Sequence, residues 1–330
     1  MTHSDDEAVS WLAQVNPVES DTQLTTEVER RRVFARVTAE KPRRARSWGW
    51  SPRFTLATAV MTVVALVAIV MIPSLLRPQP AQAVTPQPLQ FSETSMESHE
   101  MMTHLRGKLD ASGSSEPVRG ADYVGWFTDI RPDDSVPSFT YIAPQRVSLT
   151  WEADLSGRQV TEAAEAYWAD PNETTDLPDV PPAGTILDEM DFAPGEFQVP
   201  FSEPFGDSDA DVLEALQALG MPEDYDAADL IDYTDNLMSL WTLTPAQHST
   251  LLSLLERVGD IRLLGSATDR LGRAVIGYAT ESSRYPGTTR VLLIEESSGL
   301  IVGVENTNVA AQPPLPAGAV TSYTLWKGKQ

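Results

Sequence analysis

Residues 261–309, IRLLGSATDRLGRAVIGYATESSRYPGTTRVLLIEESSGLIVGVENTNV, decide the fold that the sequence predicts. They hold four runs rich in apolar and β-branched residues, separated by short turns that contain Gly, Ser or Pro, and a fifth run, AVTSYTLWK, follows at 319–327. A parallel crossover needs a dozen or more residues, more than these turns provide. The pattern therefore predicts an antiparallel meander over about residues 260–327.

The region before this meander predicts three helices, at about 208–219, 225–239 and 244–257. The last helix has the clearest start, because Thr244 is a favoured N-cap and Pro245 fits the first helical position. Earlier still, residues 121–163 are strand-like, and residues 170–206 are rich in Pro, Asp and Gly and look irregular. We therefore predict an α+β domain over 91–330, with helices at about 208–257 inserted between strands that share one curved antiparallel sheet.

The N-terminal part contains an apolar run, FTLATAVMTVVALVAIVMIPSLL, at 54–76. Its 23 residues carry no charge and would form a helix of roughly 34 Å, enough to span a bilayer core. The run predicts a single transmembrane helix, with a tail at 1–53 and a Pro-rich spacer at 77–90. The alternative is a signal peptide cleaved at Ala81-Gln82-Ala83, which the 53 residues before the run oppose.

Charge is distributed unevenly around this predicted helix. Residues 1–29 carry a net −7, residues 30–53 a net +8, and residues 78–330 a net −25. The positive-inside rule therefore predicts a cell-membrane protein with a cytoplasmic N-terminus, an extracytoplasmic C-terminal domain and the lipid bilayer as a partner. The strongly acidic domain argues against nucleic acid as a partner.

The tail itself has apolar residues at near-helical spacing, which predict a short amphipathic helix over about 22–40. Leu24, Val28, Phe34 and Val37 form the apolar positions. Such a helix either docks on a cytoplasmic regulator or rests on anionic lipid as part of a basic juxtamembrane stretch.

A search for metal-ligating patterns gives two candidates with defective spacing. Asp207, Asp209 and Asp211 have the start of a calcium loop, but Val212 and Ala218 stand where that loop needs Gly and Glu. The alternative is that these acids favour the first turn of a helix. His99 and His104 resemble a zincin pair, yet they are five residues apart instead of four.

No pattern in the chain indicates catalysis. The sequence has no Cys, no nucleophile elbow and no phosphate-binding glycine loop, and His248 reads as a surface residue of a helix. We therefore predict a protein that is not an enzyme, with no catalytic residues, no cofactor and no metal site.

Aromatic residues are concentrated in the first group of strands. They either line a groove for a lipid, glycan or peptide, or fill the core of the sheet. The set comprises Tyr123, Trp126, Tyr141, Trp151, Tyr167 and Trp168.

Several stretches also carry a family resemblance. They are LAQVNPV at 12–18, AVTPQPLQF at 83–91, SLTWEADLSGRQ at 148–159, VGDIRLLGSATDRLGRAVIGYA at 258–279 and VLLIEESSGLIVGVE at 291–305. In this order they resemble an uncharacterised actinobacterial family of single-pass membrane-anchored proteins with an α+β ectodomain, often encoded beside an extracytoplasmic-function sigma factor. The chain departs from the family pattern at Leu155 and at Glu295-Glu296. The resemblance implies an accessory or regulatory role, linked to sigma-factor signalling through the tail.

Together these observations favour a membrane-anchored accessory or regulatory protein whose extracytoplasmic domain senses or binds an unknown ligand. The alternative is a membrane-anchored carrier or binding module for lipid or cell-envelope polymer, in which the tail serves only as an anchor.

Overall fold

The structure is a computed structural model that describes residues 84–110, 117–128, 141–177, 180–311 and 315–327. In these ranges four helices and thirteen strands form an α+β fold, as predicted. The helices are α1 (Ser98–Asp110), α2 (Asp209–Ala218), α3 (Ala227–Met238) and α4 (Pro245–Val258). The strands are β1 (Val118–Arg119), β2 (Ala121–Phe127), β3 (Tyr141–Ile142), β4 (Gln145–Trp151), β5 (Gly157–Ala163), β6 (Tyr167–Trp168), β7 (Ile186–Phe192), β8 (Trp241–Thr242), β9 (Arg262–Thr268), β10 (Ala274–Glu281), β11 (Thr288–Glu295), β12 (Ile301–Asn308) and β13 (Val320–Trp326).

Nine of these strands form one antiparallel sheet in the order β7-β5-β4-β2-β13-β12-β11-β10-β9. The meander predicted from residues 261–327 is confirmed as β9 to β13, each paired with the next along the chain. Strand β2 pairs with β13, with Val124 opposite Leu325. The strands before and after the inserted helices therefore share one sheet, as the sequence predicted.

Strand β7 was missed, because it lies within the region 170–206 that looked irregular. Its sequence, ILDEMDF, is exposed from Ile186 to Asp191. It pairs only with β5, so it forms an edge of the sheet. An edge strand that buries neither face shows no alternation of apolar and polar residues, which removes the usual sequence signal.

The helix starts follow the predicted capping chemistry. The Thr244 hydroxyl accepts the Gln247 N–H at 3.1 Å, and the Gln247 side-chain oxygen accepts the Thr244 N–H at 3.0 Å. At α2 the cap is Ser208, whose hydroxyl accepts the N–H of Asp211 at 3.3 Å. These reciprocal bonds satisfy amides that have no partner inside the helix.

The helices pack against one face of the large sheet, which we call the helix face. Its core contains Trp151 and Trp241, whose ring centroids are 4.8 Å apart in an edge-to-face arrangement. Helix α1 joins this core through Met101, Met102, Leu105 and Leu109. Phe91 lies before this helix and packs against the opposite face of the sheet.

Within the described ranges no helix combines the length and apolar character needed to cross a bilayer. The tail at 1–53, the predicted transmembrane helix at 54–76 and the first part of the spacer, to residue 83, lie outside the described residues.

Candidate functional site

The face of the sheet opposite the helices, which we call the cleft face, carries the candidate site. Cross-strand partners share a face, so Val124, Arg146 and Leu325 all project from it. A smaller apolar cluster built around Val275, Leu293 and Tyr323 lies on this same face.

A cleft of about 410 Å³ opens on the cleft face. Its floor is apolar where Val124, Tyr323 and Leu325 meet, and its walls come from the 164–167 segment and from the β9–β10 turn. A cleft of this size falls in the usual range for small-molecule sites, roughly 300–1,000 Å³. The lining residues with charged side chains are Arg146, Glu162, Glu165, Arg270 and Lys327.

Most of the charge around the cleft is held in ion pairs. Arg146 donates through Nε and Nη2 to the two carboxylate oxygens of Asp122, at 2.9 and 2.5 Å, and lies 3.8 Å from Glu162. These hydrogen bonds to Asp122 raise the pKa of Arg146, so the guanidinium stays charged. This pairing fixes the geometry of one rim of the cleft.

Arg270 forms the opposite rim, and the buried Glu305 beneath it is its ion-pair partner. Its Nη2 donates to Glu305 Oε2 at 2.5 Å, and its guanidinium carbon lies 4.9 Å from the centroid of the Tyr323 ring. The Glu305 side chain is 3% exposed, and burial raises its pKa, while the charge of Arg270 acts in the opposite direction. Arg270 Nε is buried without a hydrogen-bond partner among the described residues.

Tyr323 connects the two walls of the cleft. Its hydroxyl lies 3.4 Å from that of Tyr167, and burial is the main cause of its raised pKa. The phenol therefore stays neutral and acts as a hydrogen-bonding group at the base of the cleft.

Residues 87–92, which we call the strap, cross the cleft face beside this site. The Gln87 carbonyl accepts from Arg270 Nη2 at 2.8 Å, so Arg270 contacts both the cleft and the strap. At the other end, Ser92 and Ser266 exchange backbone hydrogen bonds of 2.8 and 2.9 Å. The spacer predicted at 77–90 therefore ends in contact with the sheet.

Two glycines make room for the strap. Gly265 and Gly277 are cross-strand partners in β9 and β10. A Cβ at Gly277 would overlap the Phe91 ring, and a Cβ at Gly265 would overlap the Ser92 carbonyl. The strap therefore approaches the sheet backbone at a distance that only glycine permits.

The aromatic residues singled out in the sequence are divided between the core and the cleft. Trp151 is buried in the core of the helix face, and its indole N–H donates to the Leu240 carbonyl at 2.9 Å. Tyr167 lines the cleft, and Trp126 stacks on Tyr323 with centroids 6.2 Å apart. Trp168 stands edge-on to Tyr141 in the small β3–β6 sheet.

The candidate metal ligands take up other roles. Asp211 caps α2, and Asp209 pairs with Arg257 at 2.6 Å. His99 is 80% exposed, and its Nδ1 is hydrogen-bonded to a carboxylate oxygen of Glu256. In the described part of the chain no cluster of His, Asp and Glu has the form of a metal site.

The prediction that His248 is a surface residue was wrong. Its side chain is buried between α4 and β12, and Nδ1 accepts the N–H of Ile301 at 3.3 Å. A histidine flanked by polar residues is expected to be exposed, but His248 lies on the side of α4 that faces β12.

Sequence reasoning did not find the contacts between Arg270, Glu305 and Tyr323 beside the cleft, since Arg270 lies in the β9–β10 turn, Glu305 on β12 and Tyr323 on β13. One signal was present in the sequence. Glu305 interrupts the apolar run LIVGV of 300–304, and a charge at that point of a buried strand requires a partner.

No known protein family matches the sequence, and no curated protein matches it at a significant level. Two solved structures are similar in part. One, described as MucB in complex with MucA(peri), has 11% identity and a TM-score of 0.26, with 70% of this chain and 54% of that chain covered. The other, the Pseudomonas aeruginosa MucA/MucB complex, has 12% identity and a TM-score of 0.26, with 69% and 54% covered. The chain spans about half the length of these structures, and a likeness of this size establishes neither a shared fold nor a shared function.

Proposed function

We propose that this chain is a membrane-anchored sensing or binding protein whose extracytoplasmic domain takes a ligand in the cleft. The observation that carries the proposal is the open cleft itself, on the sheet face that the helices leave free, with an apolar floor and a charged rim. Binding is favoured over catalysis, because the arginines of the rim are already paired with Asp122, Glu162 and Glu305.

The membrane topology is part of the same proposal and rests on the sequence. The apolar run at 54–76 serves as the transmembrane helix, and the +8 segment at 30–53 stays on the cytoplasmic side. The tail helix at 22–40 contacts a cytoplasmic regulator, and the family resemblance suggests a sigma factor in that role.

A calorimetric titration tests the cleft directly. The probe is 2-naphthalenesulfonate, a water-soluble aromatic anion that suits an apolar floor beside arginines, added to the full-length chain in lipid nanodiscs with empty nanodiscs as the blank. We expect saturable one-to-one binding. Ala166→Trp, which fills the cleft, weakens binding at least tenfold, whereas Ala210→Trp, on the exposed start of α2, leaves it unchanged.

Binding that is absent, or that is equal in both variants, contradicts the proposed site. The titration does not depend on the natural ligand, because it asks only whether the cleft accepts an apolar anion.

The second candidate function, a carrier for lipid or envelope polymer, is favoured by the apolar floor of Val124, Tyr323 and Leu325. A pull-down with residues 1–53 separates the two functions. Retention of a sigma factor or another regulator supports signalling. A tail that retains none, while the domain retains a ligand, supports the carrier.

A further inference from the structure

We propose that the strap is a releasable element, and that a ligand in the cleft detaches it from the sheet through Arg270. The proposal rests on the proposed function, since it requires that the cleft binds a ligand. It adds a mechanical output, at the end of the domain nearest in sequence to the predicted membrane helix.

Arg270 connects the cleft to the strap, because its side chain contacts both. Its Nη2 bonds the strap carbonyl of Gln87 at 2.8 Å and the buried carboxylate of Glu305 at 2.5 Å. Its guanidinium also lies over Tyr323, which lines the cleft floor. An anionic group that enters the cleft competes with both oxygens for this guanidinium, so ligand binding draws it from the strap.

The strap is held by few bonds compared with a true strand. Within the described chain its regular pairing with the sheet is the single bridge between Ser92 and Ser266. Leu89 and Phe91 add apolar contacts, with the Phe91 ring seated over Gly277. The Leu89 amide also bonds the Glu305 carboxylate, and the Gln87 side-chain amide donates to the Ala169 carbonyl at 3.4 Å. Arg270 and its partner Glu305 therefore carry two of the polar contacts of residues 87–92, and a ligand that displaces Arg270 removes one of them directly and frees the carboxylate that holds the other.

Release of the strap lengthens the free chain between the sheet and the predicted membrane helix. The strap contains six residues, and an extended chain covers at most about 3.4 Å per residue. Detachment therefore adds up to about 20 Å of chain between the sheet and the predicted membrane helix. A change of that length is a signal that a membrane segment can transmit.

Hydrogen exchange measures release, because Ser92 and Ser266 donate their amide protons to each other's carbonyls. In the full-length chain in nanodiscs, we expect saturating 2-naphthalenesulfonate to speed exchange at both amides at least tenfold. The amides of Leu292 and Leu293, in the interior strand β11, serve as references and stay unchanged. If the probe binds and exchange at Ser92 and Ser266 does not change, the strap proposal is overturned while the proposed function stands.

A second experiment tests the role of Arg270 without any ligand. The double variant Arg270→Gln/Glu305→Gln removes the ion pair without leaving a buried charge unpaired, and should speed exchange at Ser92 and Ser266 at least tenfold. The control is Arg262→Gln, which removes an exposed arginine from the same strand pair. Equal exchange in the double variant and the control overturns the link, even if the probe fails to bind.

Reciprocity gives the most direct check. Gly277 has an ordinary backbone conformation, so Gly277→Ala adds only a methyl group that expels the Phe91 ring. If the ligand releases the strap, release must tighten ligand binding by the same factor, and we expect an at least tenfold lower Kd for the probe. Gly107→Ala, where nothing lies near the added methyl, is the control. Faster exchange without tighter binding in Gly277→Ala refutes the coupling.

Discussion

Two buried titratable side chains of the helix face have pKa values displaced in opposite directions. Burial between α3 and the sheet raises the pKa of Asp235 to about 7, with the nearby charge of Asp232 adding to the rise and a hydrogen bond from Thr324 opposing it. Burial lowers the pKa of His248 to about 4. Both groups are neutral in the folded chain near pH 5.5.

These shifts predict opposite contributions to the dependence of stability on pH. Asp235 favours the folded state below pH 4, and this contribution is lost as the pH rises from about 4 to about 7. His248 contributes most above pH 6.5, and this contribution is lost as the pH falls toward 4.

Urea unfolding at pH 4.5 and pH 8 separates the two residues. Asp235→Asn should raise the free energy of unfolding at pH 8 by on the order of 2 kcal/mol relative to its effect at pH 4.5, since one pKa unit corresponds to about 1.4 kcal/mol. His248→Gln keeps an acceptor for the Ile301 amide. Its free energy of unfolding, relative to the parent chain, should be higher at pH 4.5 than at pH 8. If the free energy of unfolding changes with pH in the same way in both variants and in the parent chain, the burial of these two side chains does not contribute to the pH dependence of stability.

At the level of elements, Arg273 links the β9–β10 turn to β12 and β13, beyond the strand pairing of β10 with β11. Arg273 donates from Nε to Asp269 Oδ2 at 2.7 Å, and from its two terminal nitrogens to the carbonyls of Trp326 and Val302, at 2.5 and 3.0 Å. Asp269 and Arg273 lie in the stretch 258–279, one of those that carry the family resemblance. In this chain those residues therefore hold a turn against β12 and β13.

Removing one partner of this pair should be costly. Asp269 is buried, so Asp269→Ala leaves the Arg273 guanidinium without its carboxylate and should lower the free energy of unfolding by about 3–5 kcal/mol. The matched control is Asp188→Ala on the exposed edge strand β7, with an expected loss below about 1 kcal/mol. Urea unfolding monitored by tryptophan fluorescence distinguishes the two. Equal losses would mean that the pair contributes little.

The elements themselves were predictable where local chemistry decides them. The Thr244-Pro245 start of α4 and the five runs of the meander are set by side chains close in sequence. Strand β7 and the strap were not predictable, because each is defined by a distant partner. Strand β7 exists because β5 pairs with it, and the strap lies on the sheet because Gly265 and Gly277 meet across two strands.

For the whole molecule, the proposed topology predicts opposite results from two fusions. A reporter that is active only outside the cytoplasm should be active when fused after Leu109 and inactive when fused after Arg36. The reason is the +8 segment before the apolar run, which keeps the N-terminus inside. The reverse pair of results would overturn the topology and, with it, the assignment of the cleft to the outer side.

The sequence by itself determined the fold class, the meander and the helix starts, because periodicity and capping act between residues a few positions apart. It also determined the charge pattern on which the topology proposal rests. The tertiary structure alone decided that the helices fill one face of the sheet and that a cleft opens on the other. It also decided that Arg270, Glu305 and Tyr323 meet beside the strap. These contacts join residues that are far apart in sequence, such as Gln87 of the strap and Arg270 of the β9–β10 turn, 183 positions apart, and strand order cannot be read from local pattern.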